Sequence, residues 1–94
     1  MPEMRFRIRW PDGRGESCYS PSLVVKEHLA VGDCYELPDF LERCRTALTI
    51  ASARVQARYG RPCSLALSQL AAIEQRSRTF PSDSGKVCVE AFED

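Results

Sequence analysis

The side chains with the readiest chemistry in this 94-residue chain are five cysteines and one histidine. Cys18, Cys34, Cys44, Cys63 and Cys88 are widely spaced, with no C-x-x-C pair and no metal-finger spacing. A structural zinc site needs about four nitrogen or sulfur ligands, and only His28 is available to help the thiols. No metal site is expected, and the clustered thiols that hold iron–sulfur groups are missing as well. Dispersed and odd in number, the cysteines read as small buried hydrophobes kept reduced in a cytoplasm. Nucleophilic catalysis requires a thiol activated by a neighbouring base or cation. A Cys18–His28 dyad would meet that need, but a lone histidine beside Glu27 on a short amphipathic segment reads as surface or packing. Gly13-Arg14-Gly15 lacks the lysine and the length of a phosphate loop. These residues imply no catalytic set and no cofactor.

Guanidinium groups are the other candidates, because they bind carboxylate and phosphate bidentately. Arg5, Arg7 and Arg9 alternate along one segment, and Arg54, Arg58 and Arg61 lie about a helical turn apart. They form a candidate surface for an anion or an acidic partner. The competing reading is a solvated face, with Glu90 or Glu93 paired across a sheet to the strand arginines. Thirteen basic and thirteen acidic side chains cancel overall, which argues against a general nucleic-acid binder. The cancellation is between blocks: 41–61 carries +4, 1–15 carries +2 and 62–82 carries +1, against −4 over 16–40 and −3 over 83–94. Apolar content of 44% with 28% charge is ordinary globular composition, enough for one small domain over residues 1–94. No apolar run reaches the 18 or more residues of a membrane span, and the first residues lack the apolar stretch of a signal peptide.

These groups must be positioned by recognisable elements. Met4, Phe6, Ile8 and Trp10 alternate with Arg5, Arg7 and Arg9, which predicts a half-buried strand with a cationic outer face. Pro11 to Gly15 supply a hairpin turn, and Glu16–Tyr19 return as a second strand with Cys18 or Tyr19 facing the apolar side. Ser20-Pro21 predicts the start of a short helix over 21–29, with Leu23, Val24 and Leu29 buried, and the β-branched pair leaves an extended crossover as the alternative. A brief strand over Cys34–Leu37 precedes a longer helix opened by Pro38-Asp39. There Phe40, Cys44, Ala47, Leu48, Ala51, Val55 and Tyr59 recur at helical spacing. Gly60 is its natural stop, with Pro62 just beyond. Ser64 can cap a further helix, on which Leu67, Leu70, Ala71, Ile73 and Phe80 repeat. After a loop over 81–85, Val87, Val89 and Ala91 alternate with Cys88, Glu90 and Phe92 as a last strand. The expected architecture is α+β. The N-terminal hairpin and the C-terminal strand form a small antiparallel or mixed sheet, with two main helices on one face.

Two motifs carry a wider resemblance: Arg9-Trp10-Pro11-Asp12-Gly13, and Cys18-Tyr19-Ser20-Pro21-Ser22-Leu23-Val24-Val25. Together with Arg45-Thr46-Ala47-Leu48, Ala51-Ser52, Arg54-Val55, Tyr59-Gly60, Cys63-Ser64, Gln69-Leu70-Ala71-Ala72-Ile73 and Val89-Glu90-Ala91-Phe92, they resemble a small family of bacterial nitrogen-starvation-response proteins. That family is encoded in a conserved gene cluster with a nitrilase, beside genes of radical-enzyme, acetyltransferase and flavoprotein types. The resemblance implies a helper in nitrile or related nitrogen metabolism with a protein partner from that cluster. It implies no catalytic residue. The absent catalytic set and the small core add the expectation of a cytoplasmic accessory protein that acts through an interface, as a homodimer or with that partner. Cys18 and Cys63 fall inside the shared motifs, whereas Cys34, Cys44 and Cys88 fall outside and read as packing.

Three functions are expected on these grounds. The first is a non-enzymatic accessory protein acting through an interface. The second is a small-molecule carrier or sensor with a pocket near the hairpin, where Trp10, Asp12, Cys18, Tyr19, Ser20 and Cys63 are the candidate binding residues. The third is an enzyme using Cys18 or Cys63. Local structure offers each of these residues another role: turn chemistry for Asp12, a helix start for Ser20 and hairpin cover for Trp10.

Overall fold

The computed structural model describes residues 3–61, 63–81 and 85–93. Strand β1 (Met4–Arg9) buries every second side chain, as its alternation requires. Trp10, immediately after it, is also buried. The turn closes with Trp10 N–H donating to the Arg14 carbonyl and Gly13 N–H to the Trp10 carbonyl, each at 2.8 Å. Gly13 sits at φ 87°, a conformation that suits a residue without Cβ. Strand β2 (Gly15–Ser20) returns antiparallel with Phe6 opposite Cys18, so Cys18 faces the core and Tyr19 the other way.

The next segment departs from expectation in its start. Ser20 ends β2, and the cap is Ser22, whose hydroxyl accepts from Val24 N–H at 3.3 Å. Ser22 opens a 3₁₀ helix over Leu23–Glu27 that buries Val24 and Val25, with Leu29 buried just beyond; Leu23 is only half-buried. The valine pair resists a longer α-helix, because β-branched side chains lose χ1 freedom there.

Strand β3 (Cys34–Glu36) runs directly into helix α1 (Leu37–Tyr59), with a proline in its first turn and Asp39 at its positive end. Gly60 stops the helix at φ 84°, its N–H donating to the Gln56 carbonyl at 2.8 Å. Leu37, Phe40, Cys44, Ala47, Leu48 and Ala51 form the buried stripe. Tyr59 does not join it: α1 has 23 residues, about 35 Å at 1.5 Å per residue, while β4, the longest strand, with eight spans about 27 Å. The last turns of α1 therefore overshoot the sheet, Val55 is half-buried and Tyr59 is 61% exposed. Arg61 lies beyond the helix end rather than on it. Helix α2 (Ser64–Ser77) takes Cys63, not Ser64, as its N-cap. Ile73 is its main core contribution, while Leu67 and Ala71 face out. Pro62 and the loop residues 82–84 lie outside the described residues.

Strand β4 (Lys86–Glu93) inserts between β1 and β3, giving an antiparallel sheet in the order β2-β1-β4-β3. Both helices pack on one face, and the core joins Phe6, Ile8 and Trp10 to Phe40, Leu48, Ile73, Val87 and Val89. This is the expected α+β architecture. One irregularity alters the expected facing of β4. Arg7 opposes Ala91 and Ile8 opposes Val89, which leaves Glu90 as an extra residue in a bulge. A bulge reverses side-chain parity, so Phe92 comes opposite Phe6 and packs against the core instead of pointing away.

The cysteines also require a correction. Cys34 and Cys88 are paired directly across β3 and β4 and form a disulfide. The dispersed thiols are thus not all free: only Cys18, Cys44 and Cys63 remain so. A separation of 54 residues hides the pairing in the sequence, and the sheet order brings the two together.

Candidate functional site

The residues of the expected hairpin pocket divide between core and surface. Trp10 is enclosed by aromatic rings, edge-on to Phe40 at 5.9 Å and stacked on Phe80 at 5.8 Å. Its indole N–H donates to Glu16 Oε1 at 3.3 Å. The other oxygen of Glu16 accepts from the Cys18 thiol at 3.8 Å. Glu16, opposite Ile8, therefore serves two donors of the core with one carboxylate. It shares period-two spacing with Cys18 and Ser20, and that spacing is the signal by which the sequence could have placed it on the inner face.

Burial, reinforced by the nearby Glu16 carboxylate and Cys44, pushes the Cys18 thiol far above its ordinary value. Burial alone pushes Cys44 up to about 12. Neither presents a thiolate near neutrality, and the thiolate is the nucleophile. The thiol of Cys18 is bonded to Glu16 and not to His28, whose carbonyl accepts from Arg43 at 2.9 Å. Ser20 is fully buried and donates to the Ser22 carbonyl at 2.7 Å, a structural bond. Asp12 accepts from Arg14 N–H at 2.9 Å within the turn and from Arg76 at 3.2 Å, tying the hairpin to α2. The Arg76 guanidinium also lies 6.0 Å over Trp10 and 5.7 Å over Phe80. Cys63, half-buried, donates its backbone N–H to Ser52 Oγ at 3.2 Å.

Of the hairpin candidates, Tyr19 lines a cleft. The cleft, of about 760 Å³, is lined by Glu3, Met4, Arg5, Tyr19, Glu93 and a face of α2 comprising Leu65, Ser68, Gln69 and Ala72. The Tyr19 hydroxyl donates to Glu3 Oε2 at 3.2 Å, and its backbone N–H donates to Gln69 Oε1 at 2.9 Å. Partial burial and the Glu3 bond raise its pKa, against a lowering by Arg5. Glu3, Gln69 and the α2 face are the residues that sequence reasoning missed here, since their proximity to Tyr19 depends on the docking of α2.

The arginine sets are also divided. Arg9 is bound to Glu90, with Nε and Nη2 at 3.0 and 2.9 Å from one carboxylate oxygen, as the solvated-face reading expects. Arg5 and Arg7 make no ion pair with another described residue. Arg54 donates to Ser22 Oγ at 3.2 Å, and the Arg58 guanidinium lies 5.7 Å over the Tyr59 ring. Among the described residues, no group of three or more His, Cys, Asp and Glu is placed to hold a metal ion. No helix there is long and apolar enough to cross a membrane.

The model of a family described as nitrogen starvation-induced protein NitG matches residues 5–92. The chain belongs to that family. The match begins in β1 and ends in β4, so it takes in the sheet apart from Met4 and Glu93, both helices and Tyr19 with its neighbours on α2. The NitG family ties the chain to nitrogen starvation. No curated protein and no solved structure matches it.

Proposed function

We propose that this NitG-family chain is a non-enzymatic accessory protein of a bacterial nitrogen-starvation response. It acts through contact with a protein encoded in the same nitrilase-containing gene cluster. The observation that supports this reading is the overshooting end of the α1–α2 hairpin. Tyr59 and Leu65 are 61% and 63% exposed there, beside Arg54, Arg58 and Arg61, none of which has a carboxylate partner among the described residues. An exposed tyrosine flanked by arginines has the composition of a binding hot spot, and its charge suits an acidic partner surface. A second copy of the chain is the other candidate occupant, through the acidic block over 16–40.

The test is co-purification of the tagged chain with each neighbouring gene product, beside a variant carrying Arg58→Glu and Tyr59→Ser. Capture of a cluster protein by the parent, reduced about tenfold or more in the variant, is expected. A strictly monomeric parent that captures none of the cluster proteins would overturn the proposal.

A further inference from the structure

The cleft beside Tyr19 has a chemistry of its own that does not depend on a protein partner. One wall is a single helical stripe: Leu65, Ser68, Gln69 and Ala72 follow the i, i+3, i+4, i+7 spacing of one face of α2. The rest of the lining includes a row across three strands, because Arg5 of β1 opposes Tyr19 of β2 on one side and Glu93 of β4 on the other. Glu3 adds a second carboxylate, held by the Tyr19 hydroxyl, and buried Met4 supplies apolar floor. The volume of about 760 Å³ lies within the range that encloses small organic ligands.

Its polar groups are of both signs and have spare capacity. Arg5 makes no ion pair with another described residue, although Glu93 stands opposite it. Gln69 uses its oxygen to accept from Tyr19 N–H, which orients the amide and leaves its NH₂ group able to donate on the cleft side. Leu65, at the rim, offers an exposed apolar side chain. A ligand that satisfies all of this carries an ammonium, a carboxylate and an apolar body on one small frame.

We propose that this cleft binds a free α-amino acid with an apolar side chain. The ammonium sits between Glu3 and Glu93, the carboxylate meets Arg5 and the Gln69 amide, and the side chain lies against Leu65 and Ala72. Each charged end makes charge-assisted hydrogen bonds, the stronger class. A one-ended analogue leaves one set of groups unanswered.

Isothermal titration of the full chain tests this with three probes: L-leucine, isoamylamine (no carboxylate) and 4-methylpentanoate (no ammonium). Leucine should bind, with each analogue weaker by about tenfold or more. Arg5→Gln should remove the preference for leucine over isoamylamine, and Glu93→Gln should narrow the preference over 4-methylpentanoate. Both positions are exposed, so thermal unfolding should be unchanged in these variants and loss of binding would not reflect loss of fold. Three results would each overturn the proposal: no heat from leucine up to about 10 mM, 4-methylpentanoate binding as tightly as leucine, or leucine affinity unaltered in both variants.

Discussion

Removing the Cys34–Cys88 disulfide should be among the most destabilising changes this protein can undergo without loss of a core side chain. The bond closes a loop across a sequence separation of 54 residues. In the chain-entropy treatment a loop of that length restricts the unfolded state by about 14 cal/mol/K, or about 4 kcal/mol at 25 °C. Native contacts around β3 do not depend on the bond. Ala30 N–H donates to the Tyr35 hydroxyl at 2.9 Å, the Arg43 guanidinium lies 4.6 Å over the Tyr35 ring, and Val87 opposite Tyr35 is fully buried. The loss therefore falls on the unfolded chain, which gains freedom. A chain of this length has about 5–14 kcal/mol in all, and 4 kcal/mol corresponds to a fall of about 20 °C in Tm. The assay is thermal unfolding of the oxidised protein, the reduced protein and a Cys34→Ser/Cys88→Ser variant, with thiols counted in denaturant before and after reduction. Three thiols should titrate before reduction and all five after it, and the reduced protein and the variant should melt together. Five thiols without reductant, or a Tm change under about 5 °C, would refute the reasoning.

The buried thiols and the helix stop give two further expected outcomes. Cys63 should alkylate in the folded protein, whereas Cys18 and Cys44 should react only on unfolding, as read by mass spectrometry of labelled peptides. Because burial raises both of their pKa values, the folded state keeps protons that the unfolded state releases at high pH. Their contribution is complete below the ordinary thiol value of 9.0 and is lost above it, continuing towards about 12 for Cys44. Denaturant midpoints measured across that alkaline range should fall accordingly, and the fall should be smaller in Cys44→Ala. Gly60→Ala should cost about 1 kcal/mol by urea unfolding, since an added Cβ meets nothing within 4 Å and only the left-handed backbone opposes it.

Where one local rule governed a segment, that segment was readable in advance. The alternation from Met4 to Trp10 survived folding unchanged because one neighbour on each side and a single buried face acted on it. Gly60 was readable because a helix stop is a property of one residue. Phe92 was not, because a bulge at Glu90 depends on how β4 settles against β1. Tyr59 misled for a different reason: helical spacing shows which side of a helix would be buried, but not where the opposing sheet ends. The candidate site followed the same division. Trp10, Cys18 and Ser20 drew attention by type and motif, yet each is occupied by a structural bond or stack. Tyr19 lines an open cleft, and part of what completes it comes from α2, fifty positions further along at Gln69.

The placement of β4 has a consequence for how the chain must acquire its fold. It occupies an interior position in the sheet yet comes after every other element in sequence. A nascent chain can form the β1–β2 hairpin and the two helices early, but Phe6 and Ile8 lack their neighbours on β4 until the final strand has cleared the ribosome. Closing that gap requires pairing across nearly the full chain length, a high-contact-order step that is intrinsically slow. Until it occurs, the exposed edge of β1 is a template for the wrong strand. Folding should therefore be all-or-none, and ribosome-stalled chains that stop before Lys86 should remain sensitive to protease.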